Sequence, residues 1–322
     1  MCKKSNNDLE SIVSLISTWD APTVDGDCIE RELRALLKDY TKDIKRLSSG
    51  YTNLSFLFSD KNGDRYKLSI FVDEESYLST EQLKRFLLNR NNIYNAYGEH
   101  LGVIFNDGNK VLSHYIEGVV LTSVIKEKSD DVDGLIALVR SIVKPISDFH
   151  ANLKLINDFE HLELTDIFFG SLIDQDLIGK GNIPEDFLRG KIASIRRYES
   201  SFSDEWFALS HRDTDPINMV YTQTTDKISL IDFEFVGKGL IYYDYANCYN
   251  VLKNILFVDS SVLDGFVETL LAELPEYTRK DFFISVEIMT FIWGMWYYLY
   301  GLKFDDKRLT DIGIDWINEL SI

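Results

Sequence analysis

The sequence predicts an α+β fold with two lobes, a small antiparallel β-sheet lobe followed by a larger, mainly helical lobe. The chain of 322 residues is long enough for two lobes with sizeable cores. Apolar and polar residues alternate through much of residues 43–72, as they do in half-buried strands, and Asp60–Asp64 is a strong hairpin signal. After residue 118 the apolar residues recur mainly at helical spacing.

Local patterns predict the bounds of the elements. In the N-terminal part, helices are predicted at 8–18, 27–39 and 80–98, and strands at 43–47, 54–59, 65–72 and 111–116. In the C-terminal part, helices are predicted at about 131–154, 185–200, 261–273, 279–300 and 308–320, with one β-hairpin at 218–232. Pro145 is expected to kink or split the helix at 131–154 because proline cannot donate the helical hydrogen bond and clashes with the preceding turn.

Composition excludes some classes of partner. The net charge of −18 disfavours nucleic acid and anionic membrane surfaces, although it can also concentrate a cationic ligand. Cys2, Cys28 and Cys248 have neither zinc spacing nor the pattern of a disulfide framework. Because the first residues also lack the apolar core of a signal peptide and no long apolar run is present, we expect a cytoplasmic protein without membrane insertion.

Oxygen-bearing side chains converge at the open end of the predicted hairpin. Pairing across the turn at residues 223–226 sets Asn218 opposite or nearly opposite Asp232, and Asp213 lies five residues before Asn218. Mg²⁺ prefers hard oxygen ligands and is usually held by one or two side chains plus substrate phosphates. Asn218 and Asp232 are therefore predicted to hold Mg²⁺, which leaves Asp213 free to accept the proton of an attacking hydroxyl.

These roles match the phosphoryl-transfer template, in which a loop aspartate is the base and an asparagine and a second aspartate bind the metal. Taken one at a time, aspartate and asparagine beside a turn are more often caps than ligands. The combined pattern His-x-Asp-x₄-Asn, strand, turn, apolar-Asp is much more specific. Within the segment His211–Asn218, called the 211–218 loop below, we expect His211 to hold the loop by hydrogen bonds. Asp215 either caps the loop or meets the substrate.

Nucleotide contacts are predicted in the N-terminal part. Small residues in 48–53 would let backbone N–H groups approach phosphates, and Lys67 on the following strand would place an ammonium on them. Tyr66, Leu68 and Ile70 alternate with Lys67 and form the other face of that strand. The segment His114–Gly118 joins the lobes, and its backbone suits hydrogen bonds to adenine. The predicted nucleotide-binding residues are Ser49, Thr52, Asn53, Lys67, Tyr115 and Glu117.

The chain resembles the choline/ethanolamine kinase branch of the aminoglycoside-phosphotransferase-like kinases, which have a bilobal protein-kinase-like fold. The resemblance covers roughly residues 43–305 and rests on these segments: His211–Asn218, Ile231–Phe235, Tyr243–Asn247, Ser49–Asn53 and Tyr115–Gly118. It implies an ATP- and Mg²⁺-dependent enzyme with a structural role for Asp244. We therefore expect a helical extension at 1–40, a nucleotide-binding lobe at 41–117 and a catalytic and substrate-binding lobe at 118–322.

The acceptor is predicted from an aromatic helix. Trp293 and Trp296 resemble a Trp-x-x-Trp helix of choline kinases whose rings face the quaternary ammonium, and a cation over an indole face is stabilised by about 0.5–2 kcal/mol. The alternative is a plain core helix, since residues 286–300 are apolar nearly all round. The resemblance favours choline or ethanolamine as acceptor, with Glu234 and Tyr249 as further substrate-binding residues.

Two departures from the family pattern keep other functions open. The segment Asn89–Asn92 has asparagine at the place where the family has the glutamate that pairs with the strand lysine, and Glu81 comes too early to replace it. No acid follows the Asp-apolar-Ala-Asn motif in residues 247–251. An aminoglycoside or other small-molecule kinase of the same fold is therefore one alternative, and a non-catalytic nucleotide-binding protein is another.

Overall fold

A computed structural model describes residues 7–19, 26–47, 53–71, 76–152, 163–274 and 278–321. The contacts divide the chain into two compact units. The first comprises residues within 1–76 and 83–115, and the second comprises residues within 77–82 and 116–322. Both units contain helices and antiparallel strands, so the predicted α+β class is confirmed.

The first unit is a five-stranded antiparallel sheet with helices. Its elements are α1 (Asn7–Thr18), α2 (Gly26–Leu37), β1 (Thr41–Arg46), β2 (Asn53–Asp60), β3 (Arg65–Phe71), α3 (Thr80–Tyr97), β4 (Val103–Asn106) and β5 (Lys110–His114). The strand order is β1-β2-β3-β5-β4. Helix α3 starts in the 77–82 segment that groups with the second unit. The predicted strands are present within one or two residues, and only β4 was not predicted.

Helices α1 and α2 share one apolar core with the sheet. Ile12, Ile16 and Leu33 are fully buried, and they cluster with the β3 residues Tyr66, Leu68 and Ile70. The alternation predicted for β3 is thus correct, because these three side chains face the core. Burying such residues stabilises the unit by about 1.5–3 kcal/mol per large apolar side chain.

The second unit is mainly helical. It contains β6 (Val119–Val120), α4 (Leu121–Glu127), α5 (Val132–Ser141), α6 (Val143–Asn152), α7 (Leu164–Asp174), α8 (Glu185–Glu199), β7 (Phe207–Ser210), β8 (Met219–Thr222), β9 (Lys227–Leu230), β10 (Gly237–Leu240), α9 (Tyr242–Asn254), α10 (Ser260–Glu273), α11 (Arg279–Phe304) and α12 (Lys307–Glu319). The strands form an antiparallel sheet β6-β8-β9 and a pair β10-β7. The sequence predicted the hairpin β8–β9 but not the short strands β6, β7 and β10.

The helix predicted at 131–154 is split, as Pro145 suggested. Ile142 separates α5 from α6, and Pro145 is the third residue of α6. In the first turn a proline loses no helical hydrogen bond, because the N–H groups there have no intrahelical partner. The break therefore falls just before the position that proline tolerates.

Helix α11 is the central helix of the second unit. By length and composition it could span a membrane, but 72% of its most apolar 18-residue stretch is buried inside the protein. Its neighbour α12 lies close at Gly294, where a Cβ atom would come within 2.9 Å of the Trp316 Cβ. Burial against the chain's own residues accounts for the apolar character of α11.

Candidate active site

Asp244, in the first turn of α9, holds the start of the 211–218 loop. Its Oδ2 accepts hydrogen bonds from the His211 N–H at 2.8 Å and from His150 Nε2 at 2.7 Å, and its Oδ1 accepts one from the Arg212 N–H at 2.6 Å. Burial raises the pKa of Asp244, but the hydrogen bond and charge of His150 and the other donors outweigh burial, so the net pKa is lowered. The carboxylate stays ionised and fixes two consecutive backbone amides.

His211 uses both ring nitrogens for structure. Its Nδ1 accepts the Asp213 N–H at 3.3 Å, so the proton is assigned to Nε2, which donates to the Ile231 carbonyl at 2.9 Å. The ring is fully buried, and burial lowers the pKa of His211. A neutral imidazole with both nitrogens engaged ties the loop to the β9 end of the hairpin, which is the arrangement that the predicted structural role requires.

Two non-glycine residues adopt the left-handed backbone conformation, one in the 211–218 loop and one just after β9. Arg212 has φ +63° and Asp232 has φ +64°. Such a conformation costs about 1 kcal/mol or more outside glycine, and aspartate tolerates it better than arginine. The Arg212 side chain stabilises this conformation, because its buried guanidinium Nε donates to the Phe235 carbonyl at 2.8 Å.

The hairpin register brings the predicted oxygen ligands together. Met219 pairs with Leu230, and the Ile231 N–H donates to the Asn218 carbonyl at 2.9 Å, so Asp232 is one residue beyond the position opposite Asn218. This is the near-opposite placement that the turn predicted. The Asn218 side-chain N–H donates to Asp213 Oδ2 at 2.8 Å and to the Asp213 carbonyl at 3.1 Å. The amide oxygen of Asn218 is left facing away from that carboxylate.

Three carboxylates add negative charge around Asp213. Burial raises the pKa of Asp213 well above its ordinary value, and three neighbouring acids raise it further: Asp215, Asp232 and Glu234. Asp215 is also the cap of a short helical turn, since its Oδ1 accepts the Ile217 N–H at 2.9 Å. A cation bound among these groups would relieve their mutual repulsion.

The side chains at this site suit a Mg²⁺ ion that is bound together with a nucleotide. Among the described residues no group of three His, Cys, Asp or Glu side chains is arranged to hold a metal. Mg²⁺ needs fewer protein ligands when substrate phosphates and water complete its octahedron. The Asn218 amide oxygen and the Asp232 carboxylate, beside an excess of acidic groups, meet that requirement.

The predicted nucleotide-binding residues of the first unit are only partly described. Ser49 and Thr52 lie outside the described residues, and of Asn53 only the backbone is described, paired with Phe71. Lys67 is half-buried on β3, on the face opposite the core, and none of the ion pairs among the described residues involves it. In the part of α3 where the family has an acidic partner for this lysine, Arg90 is buried and donates to the Gly108 carbonyl.

The segment that follows β5 is shaped by one glycine. Tyr115 is the last residue of the first unit and stacks under the Arg65 guanidinium at 4.5 Å, whereas the Glu117 carbonyl, in the second unit, accepts the Thr222 hydroxyl at 2.7 Å. Gly118 has φ +155°, and a Cβ there would lie 2.5 Å from the Tyr221 carbonyl oxygen. Only glycine permits this approach to β8.

Trp293 and Trp296 lie in a buried aromatic cluster. They are 9% and 8% exposed, with ring centroids 6.0 Å apart. The cluster, called the aromatic cluster below, consists of Tyr77, Phe168, Phe235, Trp293, Trp296 and Tyr300. Glu234, next to Phe235 in sequence, is also buried at 8% exposure. The rings are thus packed, with a small accessible part.

Tyr249, a predicted substrate-binding residue, packs against the N-terminal part of α11. Its ring packs edge-on against Phe282 at 5.4 Å and Phe283 at 5.8 Å. Those residues precede Trp293 by ten or eleven positions on α11, which corresponds to about 15 Å along a helix axis. The ring contacts therefore separate Tyr249 from the aromatic cluster and do not favour a shared substrate site.

Sequence reasoning did not single out His150, Tyr77 and Phe168. His150 binds Asp244 from 94 residues away, and Tyr77 meets Trp296 from the other end of the chain. No local pattern distinguishes such residues from ordinary core residues. Their partners become visible only in three dimensions.

The second unit thus carries two aspartates and one asparagine close together, on the 211–218 loop and at the end of β9. No family model matches the chain, and no curated protein matches it in sequence. Solved structures do match. An ethanolamine kinase from Plasmodium vivax aligns over 100% of this chain and 96% of its own, with a TM-score of 0.65 and 15% identity.

Two other structures show the same fold. A choline kinase from Streptococcus pneumoniae aligns over 91% of this chain and 97% of its own, with a TM-score of 0.61 and 15% identity. An aminoglycoside 2′-phosphotransferase in complex with GDP aligns over 92% and 97%, with a TM-score of 0.56 and 16% identity. The chain therefore has the bilobal fold of the choline/ethanolamine kinases and aminoglycoside phosphotransferases, as the sequence resemblance predicted.

Proposed function

We propose that the protein is an ATP- and Mg²⁺-dependent small-molecule kinase that phosphorylates the hydroxyl of a small cationic alcohol, with choline or ethanolamine as the first acceptors to test. The observation that carries the proposal is the arrangement of Asp213, Asn218 and Asp232 on a loop fixed by Asp244. Similarity to solved kinases for choline, ethanolamine and aminoglycosides supports the reaction class. A cytoplasmic location is part of the proposal.

Each residue of the site has a distinct task. Asn218 fixes Asp213 Oδ2 by its side-chain N–H, so Asp213 Oδ1 remains to accept the proton of the acceptor hydroxyl. The Asn218 amide oxygen and Asp232 would hold Mg²⁺, which supplies charge neutralisation for the phosphates. Lys67 is the proposed phosphate contact on β3. Catalysis then rests mainly on positioning and electrostatic stabilisation.

The acceptor is proposed to be cationic for two reasons. Carboxylates cluster around Asp213, and Glu234 lies buried beside the aromatic cluster. A cation is stabilised both by carboxylates and by indole faces. An aminoglycoside, which is polycationic, satisfies the same charge requirement and is the second candidate acceptor, in line with the aminoglycoside phosphotransferase among the similar structures.

The test is ADP release from the 322-residue chain with Mg²⁺ and ATP, measured against choline, ethanolamine, amino sugars, aminoglycosides and neutral sugars. We expect turnover with at least one cationic alcohol. Asp213→Asn should lower kcat by about 10²–10⁴-fold, because the general base is lost, while ATP still raises the melting temperature. Asp226→Asn, on the exposed turn of the same hairpin, is the matched control and should be active.

Two outcomes would contradict the proposal. Near-normal turnover of Asp213→Asn would remove Asp213 as the base. An ATP-dependent stabilisation without turnover on any acceptor of the panel would instead indicate a non-catalytic nucleotide-binding protein.

A further inference from the structure

The segment Tyr77–Gln82 comes from the N-terminal part of the chain but belongs by its contacts to the second unit. Hydrogen bonds from its main and side chains fix it on and just after α7: Gln175 Nε2 to the Tyr77 carbonyl at 2.9 Å, Ser79 Oγ to Asp174 Oδ2 at 2.7 Å, and the Ser79 N–H to Ser171 Oγ at 3.2 Å. Gln82 lies against Gly170, where any Cβ would collide with the glutamine amide. The segment is therefore a fixed part of the second unit.

This anchoring places the Tyr77 ring in the aromatic cluster. Its ring is fully buried, and it meets the Trp296 ring edge-on at 5.8 Å and the Phe168 ring at 6.4 Å. The Tyr77 hydroxyl oxygen is buried as well and has no hydrogen-bond partner of normal geometry among the described residues. A buried hydroxyl without a partner costs about 1–3 kcal/mol, so a ligand that pairs it gains affinity.

The charges of Glu234 and Asp213 act on the Tyr77 hydroxyl. Burial raises the pKa of Tyr77 well above its ordinary value, the carboxylates of Glu234 and Asp213 raise it further, and the approaching Trp296 indole N–H lowers it by less. Tyr77 therefore stays protonated, and its oxygen remains available to a donor. In the same cluster the Trp293 indole N–H is also buried without a partner among the described residues.

We propose that Tyr77 is a specificity-determining residue whose hydroxyl pairs with a polar hydrogen of the acceptor's ammonium group, so that the site favours amines that keep an N–H over quaternary ammonium groups. The inference rests on the proposed kinase function and concerns its acceptor. An ammonium N–H donates to the Tyr77 oxygen while its charge faces Glu234. A trimethylammonium group leaves that hydroxyl unpaired, and a site with a buried unpaired polar group discriminates against such a ligand.

Packing supports the same preference. Trp293 and Trp296 are only 9% and 8% exposed, so additional methyl groups must displace packed rings. The free Trp293 N–H also requires an acceptor atom, which an alcohol oxygen offers and a methyl group does not. A compact amino alcohol can satisfy both unpaired groups of the cluster.

The test uses one alcohol with increasing methylation of its nitrogen: ethanolamine, its N-methyl and N,N-dimethyl derivatives, and choline. For the wild-type chain we expect kcat/KM to fall across this series, most steeply at choline. Tyr77→Phe, which removes only the hydroxyl, should lower kcat/KM about 10-fold for the three amines with an N–H, through KM for the acceptor. It should leave choline and the KM for ATP within about twofold.

Tyr298→Phe is the matched control. Tyr298 is fully buried on α11 and its hydroxyl accepts the Ile183 N–H at 3.4 Å, outside the aromatic cluster, so this variant should retain the wild-type preference. Tyr77→Leu, which removes the ring as well, tests packing and should lower activity on all four acceptors. Equal losses on all four acceptors for Tyr77→Phe, or no loss, would overturn the specificity role while leaving the kinase function intact.

Direct binding separates the two proposals. Calorimetric titration of the four amines into wild type and Tyr77→Phe needs no phosphoryl transfer. Selective binding of N–H amines that Tyr77→Phe abolishes, together with absence of turnover, would overturn the kinase function and keep the assignment of Tyr77. Amine binding without any preference among the four would overturn the assignment.

Discussion

Asp244 determines the conformation of the 211–218 loop at the scale of single residues. One carboxylate receives two backbone N–H groups and the His150 ring, all at 2.6–2.8 Å, at a position that is fully buried. These donors stabilise its charge, and charge-assisted hydrogen bonds are about twice as strong as neutral ones. The loop geometry, including the left-handed Arg212, therefore depends on Asp244 being ionised.

We expect Asp244→Asn to lower the free energy of unfolding by about 2–4 kcal/mol, because one amide group must face an N–H donor and the charge is lost. Turnover should fall more than the melting temperature alone explains, since Asp213 is displaced with the loop. Chemical denaturation and steady-state kinetics check both effects. Asp315→Asn, an exposed aspartate on α12, is the control. A loss below about 0.5 kcal/mol would contradict the structural role.

At this scale the sequence predicted part of the site. The positions of Asp213, Asn218 and Asp232 relative to one turn predicted that the three residues lie close together. This was possible because hairpin pairing is local and its register follows from the turn. The pairing of His150 with Asp244 and of Tyr77 with Trp296 spans much of the chain, and no periodicity encodes it. The ring contacts of Tyr249 likewise depend on how α9 packs against α11, which no local pattern encodes.

At the scale of elements, Lys110 on β5 holds the C-terminal end of α1. Its ammonium donates to the Ile16 carbonyl at 2.9 Å and the Trp19 carbonyl at 2.5 Å, and it lies 3.0 Å from Asp107 Oδ2. A cation at a helix C-terminus satisfies carbonyls that have no intrahelical partner and favours the helix dipole. Lys110 thus joins the N-terminal helix to the sheet.

Replacing Lys110 by methionine keeps the length of the side chain but leaves two carbonyls and one carboxylate without the ammonium. We expect a loss of about 2–3 kcal/mol in the free energy of unfolding and faster hydrogen exchange in α1 than elsewhere in the first unit. Lys42→Met, at an exposed position of β1, is the matched control. Unchanged exchange in α1 would show that apolar packing alone anchors the helix.

Helices and strands were predictable where apolar residues form a long pattern on one face. Helices α1 and α12 have one apolar stripe each and were predicted within about two residues. Helix α9 lacks such a stripe because residues 242–252 are all buried, and strands β6, β7 and β10 have only two to four residues. Their existence depends on partners distant in sequence, so composition and periodicity carry little signal for them.

At the scale of the whole molecule, the proposed metal site links ligand binding to global stability. A ligand that binds only the folded chain adds RT ln(1 + [L]/Kd) to the free energy of unfolding, which is about 2.7 kcal/mol at a ligand concentration of 100 Kd. The acidic groups around Asp213 repel a free nucleotide, and the net charge of −18 acts in the same direction. Nucleotide binding is therefore expected to require a divalent cation.

We expect ATP with Mg²⁺ to raise the melting temperature of the wild-type chain by several degrees, and ATP with EDTA to raise it much less. Asp232→Asn should remove most of the difference between the two conditions, because the carboxylate that would hold the ion is gone. Asp226→Asn, on the turn of the same hairpin, should keep the difference. If ATP stabilises the wild type equally with and without Mg²⁺, nucleotide binding does not depend on a metal ion held by Asp232. The acidic cluster would then need another cation, most directly the acceptor itself.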